Sequence, residues 1–125
     1  MALVLDAGAL IAIDRFDRQL GLLLRNAHVR RVPVRTSAAV VGQVWRGGAP
    51  QAVLARALAG VEVRGLDEES GLRIGRLLSL SRTADVVHAH VALITSPGDA
   101  LVTSDPDDLT HLTECLGVAP RVIRV

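Results

Sequence analysis

The sequence contains no lysine and no tyrosine, and only one phenylalanine, one tryptophan and one cysteine among its 125 residues. The absence of lysine excludes every mechanism that depends on a catalytic lysine. Phe16 and Trp45 are too few to form the aromatic platforms on which single-stranded nucleic acids stack. A lone cysteine, Cys115, excludes a disulfide framework and a cysteine-based metal site. The core must therefore be built from Leu, Val, Ala and Ile.

Charge and apolar runs narrow the class of protein further. The formal net charge is +1, so the chain is not a general binder of polyanions. No apolar stretch approaches the length that spans a membrane. The N-terminal apolar run has no basic leader and is interrupted by Asp6 and Asp14, unlike a signal peptide. We expect a cytoplasmic protein without membrane association, folded as one domain over residues 1–125.

Strand and helix patterns alternate along the chain, with no linker or repeat. The predicted strands are Ala2–Leu5, Val32–Val34, Val61–Leu66, Ala100–Thr103 and Arg121–Val125. The predicted helices are 9–13, 19–30, a segment from a cap at Thr36 or Ser37 to Trp45, 50–58, 68–80 after a cap at Asp67, about 86–95 after a cap at Asp85, and 106–116. Strands that alternate with helices predict a parallel sheet with helices on both faces.

Two of the predicted strands end in an aspartate. Asp6 follows the apolar run Ala2–Leu5, and small residues come directly after it. Ala100–Thr103 leads in the same way into Ser104 and Asp105. Ligands of open α/β sheets bind beyond the carboxyl ends of the strands, and carboxylates are preferred ligands of hard divalent cations such as Mg²⁺. The pair therefore predicts a carboxylate cluster that binds a cation.

Structural roles compete with this interpretation at some of the acids. Aspartate is a favoured N-cap, so Asp85 has a sufficient reason to stand at the start of a helix. Asp105 precedes Pro106 in a turn-like segment, and the same argument applies to it. Nothing local requires an acid after a buried strand, so Asp6 carries the functional hypothesis best.

Four segments together resemble the PIN domain. They are Leu-Asp-Ala-Gly-Ala-Leu at 5–10, Thr-Ser-Ala-Ala-Val-Val-Gly-Gln-Val-Trp-Arg at 36–46, Asp-Val-Val-His-Ala-His-Val-Ala at 85–92, and Val-Thr-Ser-Asp-Pro-Asp-Asp-Leu at 102–109. The sequence is most similar to the toxin component of bacterial VapBC toxin–antitoxin modules, over essentially its full length. This resemblance implies a three-layer α/β/α sandwich with a central parallel sheet. It also implies an endoribonuclease that uses Mg²⁺ or Mn²⁺ on an RNA substrate, a homodimer, and a cognate antitoxin protein.

The resemblance also assigns candidate site residues. Asp6 matches the first acid of the family, and Asp105 matches the acid after the fourth strand, with Asp108 as its neighbour. Gln43 stands where a glutamate is usual, and His88 stands where the third acid belongs. Asp85 lies one turn before His88 on the same helix face, where it either substitutes for that acid or only caps the helix.

The two departures change the expected metal chemistry. Loss of one negative charge about 4 Å from a cation forfeits roughly 4 kcal/mol per unit charge at an effective dielectric near 20, so metal binding should be weaker than at a four-acid site. Gln43 can still offer its carbonyl oxygen or orient a water. As a metal ligand, His88 suits Mn²⁺ or another transition metal better than Mg²⁺. The alternative is that His88 binds no metal and faces solvent or a partner. We expect His90 to point elsewhere.

Arginines provide candidate contacts for an RNA backbone, which needs cationic groups to position it. Arg46 lies three residues after Gln43, and Arg15 and Arg18 follow the first predicted helix. The same residues also suit an ordinary solvated surface.

The leading hypothesis is a hydrolase that cleaves RNA phosphodiester bonds through a metal ion held by Asp6, Asp85 and Asp105. The alternative is a catalytically degenerate PIN-like module that binds RNA or an antitoxin without cleaving. A phospho-acceptor receiver domain is set aside because it needs a lysine. The large apolar fraction, 50% of the residues, indicates that some helical surface is covered in a dimer or by an antitoxin.

Overall fold

The structure is a computed structural model that describes all residues from 1 to 125. Its strands are β1 (Leu3–Leu5), β2 (Val34–Ser37), β3 (Glu62–Arg64), β4 (Ala100–Thr103) and β5 (Arg121–Arg124). Its helices are α1 (Ala7–Asp14), α2 (Arg18–Val29), α3 (Ala38–Val44), α4 (Ala52–Ala59), α5 (Glu68–Ser81), α6 (Val86–Leu93) and α7 (Pro106–Cys115), with a 3₁₀ turn at Ala49–Gln51 before α4. No helix combines the length and the apolar character that a membrane crossing requires.

All five strands are parallel, in the order β3-β2-β1-β4-β5. Strand β2 pairs with β1, and β3 pairs with β2, on one side of β1. Strand β4 pairs with β1 on its other side. Helices α1, α2 and α4 pack together, and α5, α6 and α7 form a second packed group. The expected three-layer α/β/α sandwich with a central parallel sheet is confirmed. The strand order reverses between β1 and β4, which is where such sheets bind ligands.

The core is aliphatic, as the scarcity of aromatic residues predicts. A cluster of 20 buried residues consists only of Leu, Val, Ala and Ile. Every residue of β1 is buried, and Leu101 and Val102 of β4 are fully enclosed. Continuous burial on both faces is expected of central parallel strands. The two strands that end in aspartate are thus rigid supports at the middle of the sheet.

Two strands, the second and the third, differ from the predicted bounds by more than one residue at an end. The second strand begins at Val34 rather than at Val32 and continues to Ser37. Pro33 has no N–H for the ladder, and it contributes only its carbonyl, which accepts from the Leu3 N–H at 2.8 Å. The third strand covers only Glu62–Arg64 rather than Val61–Leu66, and its residues are exposed because it forms the edge of the sheet.

Helix caps agree with the sequence at three positions. The Ser37 hydroxyl accepts from the Ala39 N–H, the Asp67 carboxylate accepts from the Ser70 N–H, and the Asp85 carboxylate accepts from the His88 N–H. The last of these caps fixes the start of α6, the helix that faces the carboxyl ends of β1 and β4.

Candidate metal centre

Three side chains meet where the strand order reverses. Asp6 follows β1, Asp105 follows β4, and His88 projects from α6 between them. One ligand atom from each residue lies within 4.8 Å of those of the other two. The cluster therefore joins two sheet strands and a helix at the predicted edge of the sheet.

Asp6 is the buried member of this cluster, with 1% of its side chain exposed. Its Oδ2 accepts a hydrogen bond from the Thr103 hydroxyl at 2.8 Å. Its Oδ1 is also buried and has no hydrogen-bond partner. A buried carboxylate oxygen without a hydrogen-bond partner destabilises the folded state. A cationic ligand would compensate for this loss.

Asp105 occupies the N-cap position of α7, yet its side chain forms no cap hydrogen bond. The carboxylate instead places Oδ2 3.3 Å from Nε2 of His88, with 50% of the side chain exposed. The backbone N–H of Asp105 donates to the Thr103 hydroxyl at 2.9 Å. The Thr103 hydroxyl thus ties both strand-end aspartates to the end of β4.

His88 faces carboxylates with both of its ring nitrogens. Nε2 lies 3.7 Å from Oδ2 of Asp6, on the same side as Asp105. Nδ1 lies 3.5 Å from Oδ2 of Asp85, whose other oxygen caps α6. Asp85 is outside the three-residue cluster and half exposed, so it contacts the imidazole rather than the two strand-end acids.

The donor set fits a divalent cation. Adjacent ligands of an octahedral ion at about 2.1 Å are separated by roughly 3 Å. The distances from His88 Nε2 to the two carboxylate oxygens, 3.3 and 3.7 Å, are close to this value. Two carboxylates and an imidazole, one carboxylate with an unsatisfied oxygen, are suitable ligands for a transition-metal dication.

The backbone approaches closely beside the cluster. A Cβ atom added to Gly8 would lie 2.9 Å from the Ser104 backbone nitrogen and 2.7 Å from the Ser104 Cβ. Only glycine at this position lets α1 pack against the turn that carries Asp105. Gly8 therefore permits the two strand-end acids to converge.

The other predicted site residues lie around the cluster or away from it. Asp108 lines a small cleft together with Asp85 and His88. Gln43 is exposed near the end of α3. Arg46 is exposed and donates to the carbonyls of its own turn.

Arg15 and Arg18 lie near the end of α1 and the start of α2. Arg15 is the exposed C-cap residue of α1, and Arg18 lines an apolar groove between α1, α2 and α4. Neither arginine makes an ion pair with the acids of the cluster.

His90 occupies a different environment, as expected. Its Nδ1 lies 2.6 Å from the Ser37 hydroxyl, and the ring is buried. Burial lowers the pKa of His90 below its ordinary value, and the guanidinium of Arg73 lowers it further. This buried histidine joins the start of α3 to α6.

Thr103 and Gly8 are the site residues that sequence reasoning missed as such. In the sequence, Thr103 is only the last residue of a predicted strand, although a hydroxyl two residues before a strand-end acid can reach a neighbouring carboxylate. Gly8 is only one of the small residues after Asp6. Both roles depend on the pairing of β1 with β4.

The fold is similar to that of a protein of known structure. No family model and no curated protein matches the chain. Among solved structures, the chain is similar to VapBC2 from Rickettsia felis bound to a DNA fragment from their promoter. The TM-score is 0.69 at 13% identity, and the match covers 100% of this chain and 99% of the other. At this identity the likeness concerns the fold, and it supports the PIN-type architecture that the motifs predicted.

Proposed function

We propose that the protein is a metal-dependent endoribonuclease and the toxin of a type II toxin–antitoxin pair. The observation that carries the proposal is the buried Asp6, which has one unpartnered oxygen and lies beside His88 and Asp105 where the strand order reverses. The full-length similarity in fold to a VapBC complex supports the same class of protein. The proposed place of action is the cytoplasm.

Asp6, Asp105 and His88 would hold a divalent ion, Mg²⁺ or Mn²⁺, with Asp85 next to His88 and Asp108 at the edge of the adjoining cleft. When bound, such an ion lowers the pKa of a coordinated water and stabilises negative charge on a phosphate. Thr103 holds the Asp6 carboxylate in place through its hydroxyl. Burial of Asp6 excludes water from one side of the site.

Substrate contacts would come from exposed groups on the α1–α3 side. Arg46, Arg15 and Arg18 are the candidate contacts for the phosphate backbone, which positions an RNA without reading its sequence. Gln43 would contribute its amide, either as a neutral oxygen ligand or to orient a water. All four side chains would have to turn toward the RNA as it binds.

An apolar groove is the proposed surface for the antitoxin. The groove has a volume of about 620 Å³ and lies between α1, α2 and α4, where Phe16, Leu22 and Val53 line it. Phe16 is 71% exposed and has a φ of 61°, a conformation disfavoured for bulky residues. Glycine is the usual residue after a helix in this conformation, so an exposed aromatic ring there indicates a contact with a partner. A homodimer would cover further apolar surface.

The alternative is a degenerate module that binds RNA or an antitoxin without cleavage. The specific observation in its favour is that Asp6 is the only fully buried acid at the site, since Asp105 of the cluster and Asp85 beside it are half exposed. Gln43 and His88 in place of acids further reduce the charge available to a metal.

Cleavage of a mixed RNA substrate by antitoxin-free protein tests the proposal. Reactions would contain Mg²⁺, Mn²⁺ or EDTA, with Asp6→Asn as the test variant and Asp107→Asn as the matched control. Asp107 is exposed in the first turn of α7, so its variant should retain activity. Loss of the charge at Asp6 should reduce cleavage about 10³-fold, the equivalent of roughly 4 kcal/mol.

Each result has a definite meaning. Metal-dependent cleavage that is lost in Asp6→Asn and kept in Asp107→Asn supports the nuclease. RNA binding in EDTA without turnover in either metal, from folded protein, supports the degenerate module. Equal cleavage by Asp6→Asn and the unaltered protein would overturn the assignment of the site.

A further inference from the structure

Asp85 and His88 form a pair that differs from the strand-end acids. Asp85 caps α6 through one carboxylate oxygen and directs the other toward Nδ1 of His88 at 3.5 Å. The opposite ring nitrogen, Nε2, faces Asp6 and Asp105. The imidazole therefore lies between an outer carboxylate and the inner cluster.

This arrangement matches the surroundings of a histidine that binds a metal. Such a histidine usually donates its second ring N–H to a carboxylate, which fixes the tautomer and increases the basicity of the ligating nitrogen. A carboxylate at Nδ1 favours the tautomer in which Nε2 carries the lone pair. The 3.5 Å separation is at the outer limit of a hydrogen bond, so Asp85 acts on the ring mainly through its negative charge.

Rigidity supports the same assignment. The His88 side chain is 16% exposed, and the four residues that follow it in α6, from Ala89 to Ala92, are buried. The helix start is fixed by the Asp85 cap. The imidazole is thus held in position before any ion arrives, and a preorganised ligand loses little conformational entropy on binding.

We propose that His88 Nε2 is a metal ligand oriented by Asp85, and that the site selects transition-metal dications over Mg²⁺. Imidazole nitrogen suits later first-row dications such as Co²⁺, whereas Mg²⁺ prefers oxygen ligands and retains several waters. Asp85 then acts as a positioning residue outside the inner ligands. This inference deepens the proposed function, on which it rests only for the biological purpose of the ion.

Titration calorimetry of the full chain with Mg²⁺, Mn²⁺ or Co²⁺ tests the inference without RNA. We expect Co²⁺ to bind about tenfold or more tightly than Mg²⁺, with Mn²⁺ between them, as the general order of affinities predicts. His88→Asp should reduce the ratio of Co²⁺ to Mg²⁺ affinity about tenfold, because it replaces nitrogen with a carboxylate oxygen. His28→Asp is the matched control, since His28 is exposed on α2, and it should leave the ratio unchanged.

A second variant protects the test if His88→Asp folds poorly. Asparagine caps helices about as well as aspartate, so Asp85→Asn keeps the start of α6 and removes only the charge at Nδ1. It should lower Co²⁺ affinity about 10- to 100-fold and Mg²⁺ affinity by less. The visible absorption of Co²⁺ bound to Asp85→Asn should also change, a signature that a role of Asp85 in capping alone would not produce.

The outcomes separate this inference from the nuclease. Equal affinities for Mg²⁺ and Co²⁺ in the unaltered protein, or an unchanged ratio in a folded His88→Asp, would overturn the inference. Failure of folded protein to bind any of the ions would do so as well. Selective Co²⁺ binding without RNA cleavage supports the inference and contradicts the nuclease. Cleavage with equal affinities does the reverse.

Discussion

Asp6 and Asp99 are two buried aspartates at opposite ends of the central strand pair, and their surroundings differ. Asp99 stands before β4 and accepts the N–H groups of Ala2 and Ser96, each at 2.8 Å. Arg35 lies 3.6 Å from the same carboxylate. Asp6, after β1, has one hydrogen bond, from Thr103, and one buried oxygen with no partner.

Asp6 and Asp99 are thus similarly buried, but only Asp99 has a hydrogen-bond partner for each of its carboxylate oxygens. The carboxylate of Asp99, at the amino edge of the sheet, faces the charge of Arg35 and accepts hydrogen bonds, which is typical of a structural role. At the carboxyl edge the carboxylate is desolvated without compensation, and local rules are often broken in this way at functional sites. Hydrogen-bond satisfaction, rather than burial, distinguishes the structural acid from the candidate ligand.

Asp99→Ala should cause the largest loss of stability. The substitution removes two acceptors and leaves the guanidinium of Arg35, 15% exposed, without its buried partner. Breaking one member of a buried ion pair typically costs about 3–5 kcal/mol. Urea denaturation followed by circular dichroism measures this change.

Asp6→Asn provides the contrast in the same assay. Without metal, it should leave stability within about 1 kcal/mol of the unaltered protein, or slightly above it, because an uncompensated buried charge is removed. If the two substitutions destabilised the fold equally, the distinction between the two edges would be wrong.

Thr103→Val should remove hydrogen bonds at the carboxyl ends of β1 and β4 without altering the packing there. Valine has nearly the shape of threonine but neither donates to Asp6 nor accepts from the Asp105 N–H. We expect a loss of about 2–3 kcal/mol, toward the upper end of the range for unsatisfied buried groups because one of them is charged. Metal affinity should fall about 10- to 100-fold, as it does when supporting contacts are removed.

Thr103→Ser separates these contacts from packing. Serine retains the hydroxyl, so metal affinity measured by calorimetry should return most of the way to its original value. An affinity as low as that of Thr103→Val would show that the methyl group, rather than the hydroxyl, supports the site.

Gly8→Ala should disturb the convergence of the two strand ends more than the overall fold. Its new Cβ would meet the Ser104 backbone, and overpacking costs about 1–3 kcal/mol, partly offset by roughly 0.5–1 kcal/mol of helix preference. We expect a net loss of about 1 kcal/mol, the difference of these two effects, with weakened metal binding.

Gly21→Ala is the matched control for Gly8→Ala. Gly21 lies within α2, and a Cβ there would meet no atom within 4 Å. Thermal denaturation should show a gain of about 0.5–1 kcal/mol. A gain of the same size for Gly8→Ala would contradict the close approach at Ser104.

Asp67 is an exposed carboxylate with a hydrogen-bond partner, unlike the two buried aspartates. We expect its substitution to have the smallest effect on stability. The hydrogen bond from the Ser70 backbone N–H lowers the pKa of Asp67 below its ordinary value. A lowered pKa in the folded state contributes stability above the unfolded value of about 4, and this contribution disappears as the pH falls through the folded value. Asp67→Asn keeps the cap, so its stability deficit should be present at neutral pH and vanish in acid. A deficit that does not change with pH would contradict this linkage.

The architecture was predictable because its signals are local. Ala100–Thr103 has the predicted bounds, since a short apolar run stands between Pro97-Gly98 and Ser104-Asp105. Ser37, Asp67 and Asp85 all cap helices as expected, because an N-cap hydrogen bond spans only two or three residues. Alternation of strands and helices then sufficed for the class of fold.

The site was predictable only in part. Its strand-end acids follow from position, but the 3.3 Å between His88 and Asp105 depends on how α6 packs against α7. No local pattern predicts the structural role of Asp99, because its partners Ala2 and Arg35 are distant in sequence. Long-range contacts leave no periodic trace in a single sequence, so the roles of Thr103 and Gly8 could not be assigned in advance.

The junction of β1 with β4 has a consequence for protein synthesis. Asp6 leaves the ribosome well before Thr103, its hydrogen-bond partner, which lies 97 positions later. Chains emerge from the N-terminus onward, so the cluster cannot assemble until β4 and Asp105 have been translated. Any product of premature termination that stops before β4 lacks Asp105 as well. An interrupted message would therefore yield fragments without the candidate metal site, which only chains that extend past Asp105 can form.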